Sequence, residues 1–358
     1  MRLPLHNPRL VMAKKSTRSP SASSAAGKGA SVTLVDVAKV AGVSPITVSR
    51  ALHRPDVVSE ALRSKVLEAV RQTGYVPNML AGGLASSKSR LVAIFVPTIA
   101  HSIFAETVQS LMDNLTAAGY QTMIGLTGYS AEQEERLLDA VLGRRPDGIV
   151  LTGTLHTQES RQRLQAAGIP VVEAWDLGAA PIDMQVGFSH EKVGQAIAGH
   201  LHGKGYRHFA IVSVDDSRAL KRSGSVVAQL KALGIEHVPM ALLAAPATLQ
   251  SGREGLRQLL GQGHRPQVVV CSSDTVAQGI LAEAANQGIS VPGELAVMGF
   301  GDLSSAAYLH PPLSTVNIDG ARMGRLAANA LLQRFREGGA AQAVRLDTGF
   351  TLVDRATT

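Results

Sequence analysis

The chain has 358 residues, 45% of them hydrophobic and 18% charged, with a formal net charge of +7. That length supports two or three domains with sizeable cores. A single cysteine, Cys271, excludes a disulfide framework and suits a reducing compartment; no stretch approaches the roughly 20 consecutive apolar residues of a membrane helix.

The charge is unevenly placed. Residues 1–32 carry six basic residues and no acid, and lack the apolar core of a secretory signal. Residues 1–31 are therefore expected to be a disordered basic leader, with Met12 as an alternative start. Residues 33–89 hold seven bases against four acids, which leaves a net −2 for the rest of the chain. A basic front on a near-neutral body points to a polyanionic partner for the front alone.

In that front, Thr33 can cap a helix from Leu34 to Val40, with Leu34, Val37, Ala38 and Ala41 on one face. Gly42 supplies a turn, Ser44 caps a second helix, and Pro45 takes its first position, where no N–H is needed. Val48 and Leu52 face inward, which leaves Ser44, Ile46, Thr47, Ser49, Arg50 and His53 on or near the outer face. Ser59 is expected to cap a third helix striped by Leu62, Val66, Leu67 and Val70 and closed by Gly74. Three short helices with a tight turn between the first two make a helix-turn-helix headpiece, residues 32–77. Its second helix suits the major groove: Arg50 can fork onto guanine, Pro45 and Ile46 can meet a thymine methyl, and Thr47 and Ser49 can bind phosphate. Spacing alone leaves a protein-contact knob open as the alternative.

Residues 78–90 read as a hinge helix and linker. Asn78 can cap a helix from Met79 to Ala85, in which Gly82 and Gly83 each lose roughly 0.8–1 kcal/mol against alanine. Such a helix is expected to form only against a partner strand or DNA.

The segment "VTLVDVAKVAGVSPITVSRAL", with "VSEALRSKVLEAVRQTGYVPN" after it, resembles the headpiece and hinge of the lactose-repressor family of bacterial transcription regulators. The resemblance runs from about Val32 to about Thr351. It implies a dimer on a palindromic operator, with paired hinge helices in the minor groove and Leu84 as a wedge that bends the DNA. Arg50 matches the groove-reading arginine, Pro45 and Ile46 the specificity pair, and Tyr75 and Asn78 the backbone contacts. Leu34 and Ala81 complete the expected DNA-binding set. His53 replaces an asparagine of the lactose repressor, so operator details do not transfer.

From Leu91 onward, strands and helices alternate. "LVAIFVP", "YQTMIGLT", "DGIVLTG" and "IPVVEAWD" are strand-like runs separated by amphipathic helices; after Phe188 the series resumes with a helix over 191–203, "HFAIVSV", a helix over 221–233, "PQVVVCSS", a helix over 275–287 and "LAVMGFG". The fold class is thus α/β, with a doubly wound core of two lobes. It resembles the periplasmic sugar-binding fold that forms that family's core. Residues 91–358 are expected to bind ligand and to dimerise: a first lobe of about 91–188 plus 317–342, a second of about 189–316 plus 343–358.

Ligands of such folds bind beyond the carboxyl ends of the strands, so the cleft between lobes is the expected site. On the first lobe His101, Ser102, Phe104, Glu173, Trp175 and Asp176 fall there, and Phe188 stands at the junction. On the second lobe the candidates are Lys221, Ser273 and Asp274. Trp175, the only tryptophan, can stack on a sugar face or fill core. Lys221 stands where the lactose repressor has a sugar-binding arginine, and Gly301 where it has an aspartate. Together with "QTMIG", "RPDGIVLTGTLHT" and "DMQVGFSH", these departures resemble the gluconate and 2-ketogluconate repressors. The resemblance implies an anionic sugar acid as effector, with a solvated helix-start role for Lys221 as the bland alternative.

No G-x-S-x-G elbow, Walker loop or H-E-x-x-H occurs, and the two histidines of "GHLHGKG" lack a third ligand. No enzyme activity, cofactor or metal is expected. A periplasmic solute-binding protein would share the core but not residues 1–90. The reading is a cytoplasmic, nucleoid-associated, homodimeric repressor that responds to a sugar acid, with a neutral sugar or purine-like ligand as the alternative effector.

Overall fold

The computed structural model describes residues 32–76, 88–100, 102–154, 156–337 and 344–358. The chain divides into two compact units, Met1–Gly82 and Gly83–Thr358.

The described part of the first unit is a three-helix headpiece: α1 (Leu34–Ala41), α2 (Pro45–His53) and α3 (Glu60–Thr73). At the start of α1 the Asp36 carboxylate accepts from the Thr33 N–H at 2.9 Å and from its hydroxyl at 2.7 Å. The bare N-terminal amides favour an acid there. Gly42 stops α1 in the left-handed region at φ 60, which only glycine enters without steric cost. Ser44 Oγ then accepts the Thr47 N–H at 3.2 Å and starts α2. Ser59 takes the cap position of α3 but makes no side-chain cap bond, contrary to expectation. Val37, Ala38, Ala41, Val48, Ala51, Val66 and Ala69 form the buried core.

In the second unit, strands and helices alternate as the apolar runs require. The first lobe contains β1 (Leu91–Val96), α4 (Ala105–Ala117), β2 (Gln121–Leu126), α5 (Ala131–Leu142), β3 (Gly148–Thr152), α6 (Gln158–Ala167), β4 (Val171–Ala174) and β5 (Met184–Gly187). The second contains α7 (His190–Gly203), β6 (Phe209–Val214), α8 (Ser217–Ala232), β7 (Met240–Leu243), α9 (Leu249–Gly261), β8 (Val268–Cys271), α10 (Asp274–Asn286) and β9 (Ala296–Met298). The chain closes with β10 (Thr315–Asn317), α11 (Gly320–Glu337), β11 (Arg345–Asp347) and β12 (Thr351–Val353). One parallel sheet has the order β11-β5-β4-β3-β1-β2 and the other β7-β6-β8-β9; β10 and β12 pair antiparallel. Strands β1, β3, β4, β5, β6, β8 and β9 are buried on both faces, as continuous Val/Ile/Leu runs demand, whereas the edge strands β2, β7 and β11 are partly exposed.

Three features depart from the sequence reading. The β7–α9 unit was not anticipated, because β7 spans four residues and α9 has a narrow apolar stripe centred on Leu256 and Leu259. Gly252 of α9 meets Gly279 of α10 so closely that a Cβ on Gly252 would lie 2.0 Å from the Val276 carbonyl oxygen. Second, α8 begins four residues early because Asp216 caps it. Third, the placement of 343–358 in the second lobe is corrected at its start. β11 pairs with β5 in the first lobe's sheet, where the Gln185 N–H donates to the Val344 carbonyl at 2.7 Å and Leu346 packs on that core. Only the end of the chain returns to the second lobe, where the Thr357 hydroxyl donates to the Val297 carbonyl at 2.7 Å.

Candidate functional site

The headpiece presents α2. Ser44, Pro45, Ile46, Arg50 and His53 are exposed, Ile46 by 64%. An isoleucine left this open on a folded helix is available for apolar contact. Among the described residues no carboxylate pairs with Arg50. Thr47 and Ser49 are half-buried, and the Thr47 hydroxyl lies 2.9 Å from the capping Ser44 Oγ. Leu34 and Tyr75 are half-buried and pack against the headpiece core. Asn78, Ala81, Leu84 and His101 lie outside the described residues.

The second unit holds a small cavity between its lobes. Phe104, Tyr129 and Trp175 line it from the first lobe; Asp216, Arg218, Arg222, Ser272, Ser273 and Phe300 line it from the second. The Trp175 ring meets Phe104 edge-on at 5.1 Å, and its backbone is held at φ 70, a strained value for a non-glycine residue beside a cavity. His190, at the start of α7, also faces the cavity. One of its nitrogens, Nε2, lies 3.0 Å from the Trp175 carbonyl, and Arg222 Nη1 lies 2.9 Å from the other, Nδ1. A guanidinium only donates, so Nδ1 must be bare and Nε2 must carry the proton. Burial, with Arg222 and Arg218 close by, holds His190 well below its usual range and fixes this neutral form.

The cavity walls are electropositive. They carry two guanidinium groups and one carboxylate. Arg222 is stacked over the Phe300 ring at 3.6 Å and donates to the Ser272 carbonyl at 2.6 Å; burial lowers it to about 9. Arg218 pairs with Asp216 at 3.1 Å through Nη2 and lies over Phe104 at 5.3 Å. Its Nη1 is buried without a hydrogen-bond partner, and so is Ser272 Oγ. Buried donors are seldom left unsatisfied, so two of them on one cavity wall favour an acceptor-rich occupant. Burial raises the Tyr129 hydroxyl to about 12, which keeps it a neutral donor.

The expected ligand set divides accordingly. Phe104, Trp175 and Ser273 line the cavity, although Ser273 Oγ also caps α10 by accepting the Val276 N–H at 3.3 Å. Ser102 is exposed and off the cavity. Phe188 is fully buried behind the wall, against Trp175, His190 and Phe300. Glu173 is corrected. Strand alternation sets it on the sheet face opposite Val172 and Ala174, where it accepts the Ile182 N–H at 2.7 Å and faces His156 and Arg161. Asp274 is corrected too: its carboxyl accepts from the Leu303 N–H at 2.7 Å and the Thr315 hydroxyl at 2.5 Å, which ties α10 to β10. Burial lifts it to about 6. Lys221 lies off the cavity wall, bonded to Asp176 at 3.2 Å and Glu191 at 3.1 Å.

Comparison with known proteins bears on both units. Residues 33–78 match the bacterial regulatory proteins of the lacI family, and residues 198–358 match a periplasmic binding protein-like domain. The HTH-type transcriptional regulator GntR of Pseudomonas aeruginosa is 37% identical, across 91% of this chain and 95% of its own length. GntR of Escherichia coli is 34% identical over 89% and 96%. A LacI-family regulator from Silicibacter pomeroyi superposes with a TM-score of 0.86 at 33% identity, covering 91% of this chain and 99% of its own. The lac repressor dimer on operator DNA, 24% identical with a TM-score of 0.78, shares the fold over 92% of this chain and 99% of its own.

The chain belongs to the lacI family of bacterial regulatory proteins. As a member of this family it is a DNA-binding transcriptional regulator and not an enzyme. Among the described residues, no helix is long and apolar enough to cross a membrane.

Sequence reasoning did not single out His190, Arg222, Ser272 or Phe300 as cavity residues. A signal existed for one: once Asp216 is taken as the cap of α8, Arg218 and Arg222 stand four apart on one helix face. Ser272 and Phe300 directly follow buried runs, and only the meeting of the lobes brings them to the cavity.

Proposed function

We propose that this lacI-family regulator represses genes of sugar-acid catabolism and leaves a palindromic operator when a gluconate-type acid enters the cleft. The observation that carries the reading is the pair of unsatisfied buried donors, Arg218 Nη1 and Ser272 Oγ, on a wall with more cationic than anionic groups. A ligand carboxylate accepts from both, and the bond to guanidinium is charge-assisted. The sugar's C–H face rests on Trp175 and Phe104, and its hydroxyls reach Asp216, Tyr129 and Ser273. On the operator, α2 enters the major groove: Arg50 reads guanine, Pro45 and Ile46 contact thymine methyls, and Ser44, Thr47, Ser49 and His53 set register on phosphates.

The regulator acts as a cytoplasmic homodimer at the nucleoid. Support for the dimer comes from two sheet edges. Ile124 and Leu126 of β2 and Met240 and Leu242 of β7 are exposed apolar residues on edge strands, which a soluble chain ordinarily covers or charges.

A thermal-shift panel tests the effector. Gluconate, 2-ketogluconate, 6-phosphogluconate and galactonate are compared with glucose, ribose and galactose, on the wild type and on Arg218→Ala. One acid is expected to stabilise the wild type and not the variant. Stabilisation by a neutral sugar alone, or by no acid, overturns the sugar-acid reading and leaves the family membership intact.

A further inference from the structure

Among the described residues, three side-chain contacts across the cleft between the lobes stand out. Arg218 lies over the Phe104 ring, His190 Nε2 donates to the Trp175 carbonyl, and Lys221 Nζ bonds both oxygens of Asp176, at 3.2 and 3.4 Å. Of these three, the Lys221–Asp176 contact joins opposite charges.

Asp176 is a fixed anchor. Its side chain is 1% exposed. Oδ1 accepts the Leu177 N–H at 2.7 Å and Oδ2 the Thr154 hydroxyl at 3.0 Å. Gly187 packs so tightly against its backbone that a Cβ there would lie 2.6 Å from the Asp176 carbonyl oxygen. With Lys221 added, both carboxylate oxygens are fully engaged, and nothing is left to hold a ligand. On the opposite lobe Glu191 steadies the ammonium at 3.1 Å, and Ser189 donates to Glu191 at 2.9 Å. Lys221 is 26% exposed, so the pair is partly desolvated and stronger than one free in solvent.

We propose that Lys221 is a positioning residue: its ion pair with Asp176 latches the two lobes together and tunes effector affinity without contact to the effector. Arg218, one turn earlier on α8, faces the cavity, so one helix separates binding from closure. The inference about affinity rests on the cleft being the effector site; the latch itself does not.

The test uses the full chain with spin labels at Glu132→Cys on α5 and Glu254→Cys on α9, both exposed, while native Cys271 is buried. Interlobe distances are measured without and with gluconate. Without effector, Lys221→Met and Asp176→Asn each shift the population towards longer distances, the double variant shifts it no further, and Lys221→Arg keeps the wild-type distribution. Gluconate affinity falls by the same roughly 5- to 20-fold in both single variants and in the double. An unchanged distribution in Lys221→Met and Asp176→Asn, or an additive double variant, overturns the latch. Should Lys221→Met fail to fold, Asp176→Asn carries the same measurement. Should the wild type bind no sugar acid, the effector reading fails, and the ligand-free distances still decide the latch.

Discussion

In the headpiece, Arg50 stands in solvent on α2 with no acid beside it, whereas in the cleft Arg218 and Arg222 are buried among rings, carbonyls and one carboxylate. The same side chain is prepared for two different partners. DNA brings its own charge, and a helix that docks on it need only hold its arginine outward. A small ligand must be met by donors already fixed and stripped of water, so the cleft arginines are constrained before it arrives. Groups left over follow the same division. The exposed Ile46 is an unoccupied apolar contact, and the buried Arg218 Nη1 is an unoccupied donor.

That contrast can be broken most strongly at Arg218. Its replacement by alanine strands Asp216 and removes the free donor; gluconate affinity by calorimetry is expected to fall roughly 30- to 1,000-fold while operator binding by the ligand-free protein stays unchanged. Equal loss of operator binding would erase the separation between the two regions.

Next in size is a pH effect confined to the core. Asp274 is held at about 6 in the folded state, above its unfolded value of 3.8. Between these values the native state keeps a proton the unfolded chain has lost, so stability falls as pH rises from about 4 to 6, by up to roughly 3 kcal/mol. Burial raises Glu173 also, with the same sign. Asp274→Asn is expected to flatten most of the slope between pH 4.5 and 6.5 in urea midpoints of the core; an unchanged slope would assign it to other groups.

Arg50→Ala sharpens the other side. Specific operator affinity, by anisotropy on an operator selected from random duplexes, is expected to drop about 10- to 100-fold, with effector binding untouched. The smallest effect is at Ser44→Ala, which removes the α2 cap: hydrogen exchange at the Thr47 amide should report about 1 kcal/mol of lost protection, with none lost at β6.

How much of this was legible varies with distance along the chain. The headpiece helices follow from Thr33, Gly42, Ser44, Pro45 and Gly74, all within a few residues of the ends they set. The strands of the first lobe follow from runs such as "LVAIFV". β7 and β11 did not stand out, since strands of four and three residues show no period of their own. At the cleft, Phe104 and Trp175, named from strand ends, line the cavity. They could not tell that Glu173 lies on the other face of its sheet, or that Lys221 is occupied.

The sequence by itself determined the helix-turn-helix, the alternation of strand and helix, and the family, because caps, turns and periodicity are local and the motif is long. Tertiary structure alone decided which charges face the cavity. Lys221 meets Asp176 of the other lobe across 45 residues, and Arg222 reaches Ser272 within its own lobe across 50; such partners exist only once the chain has folded.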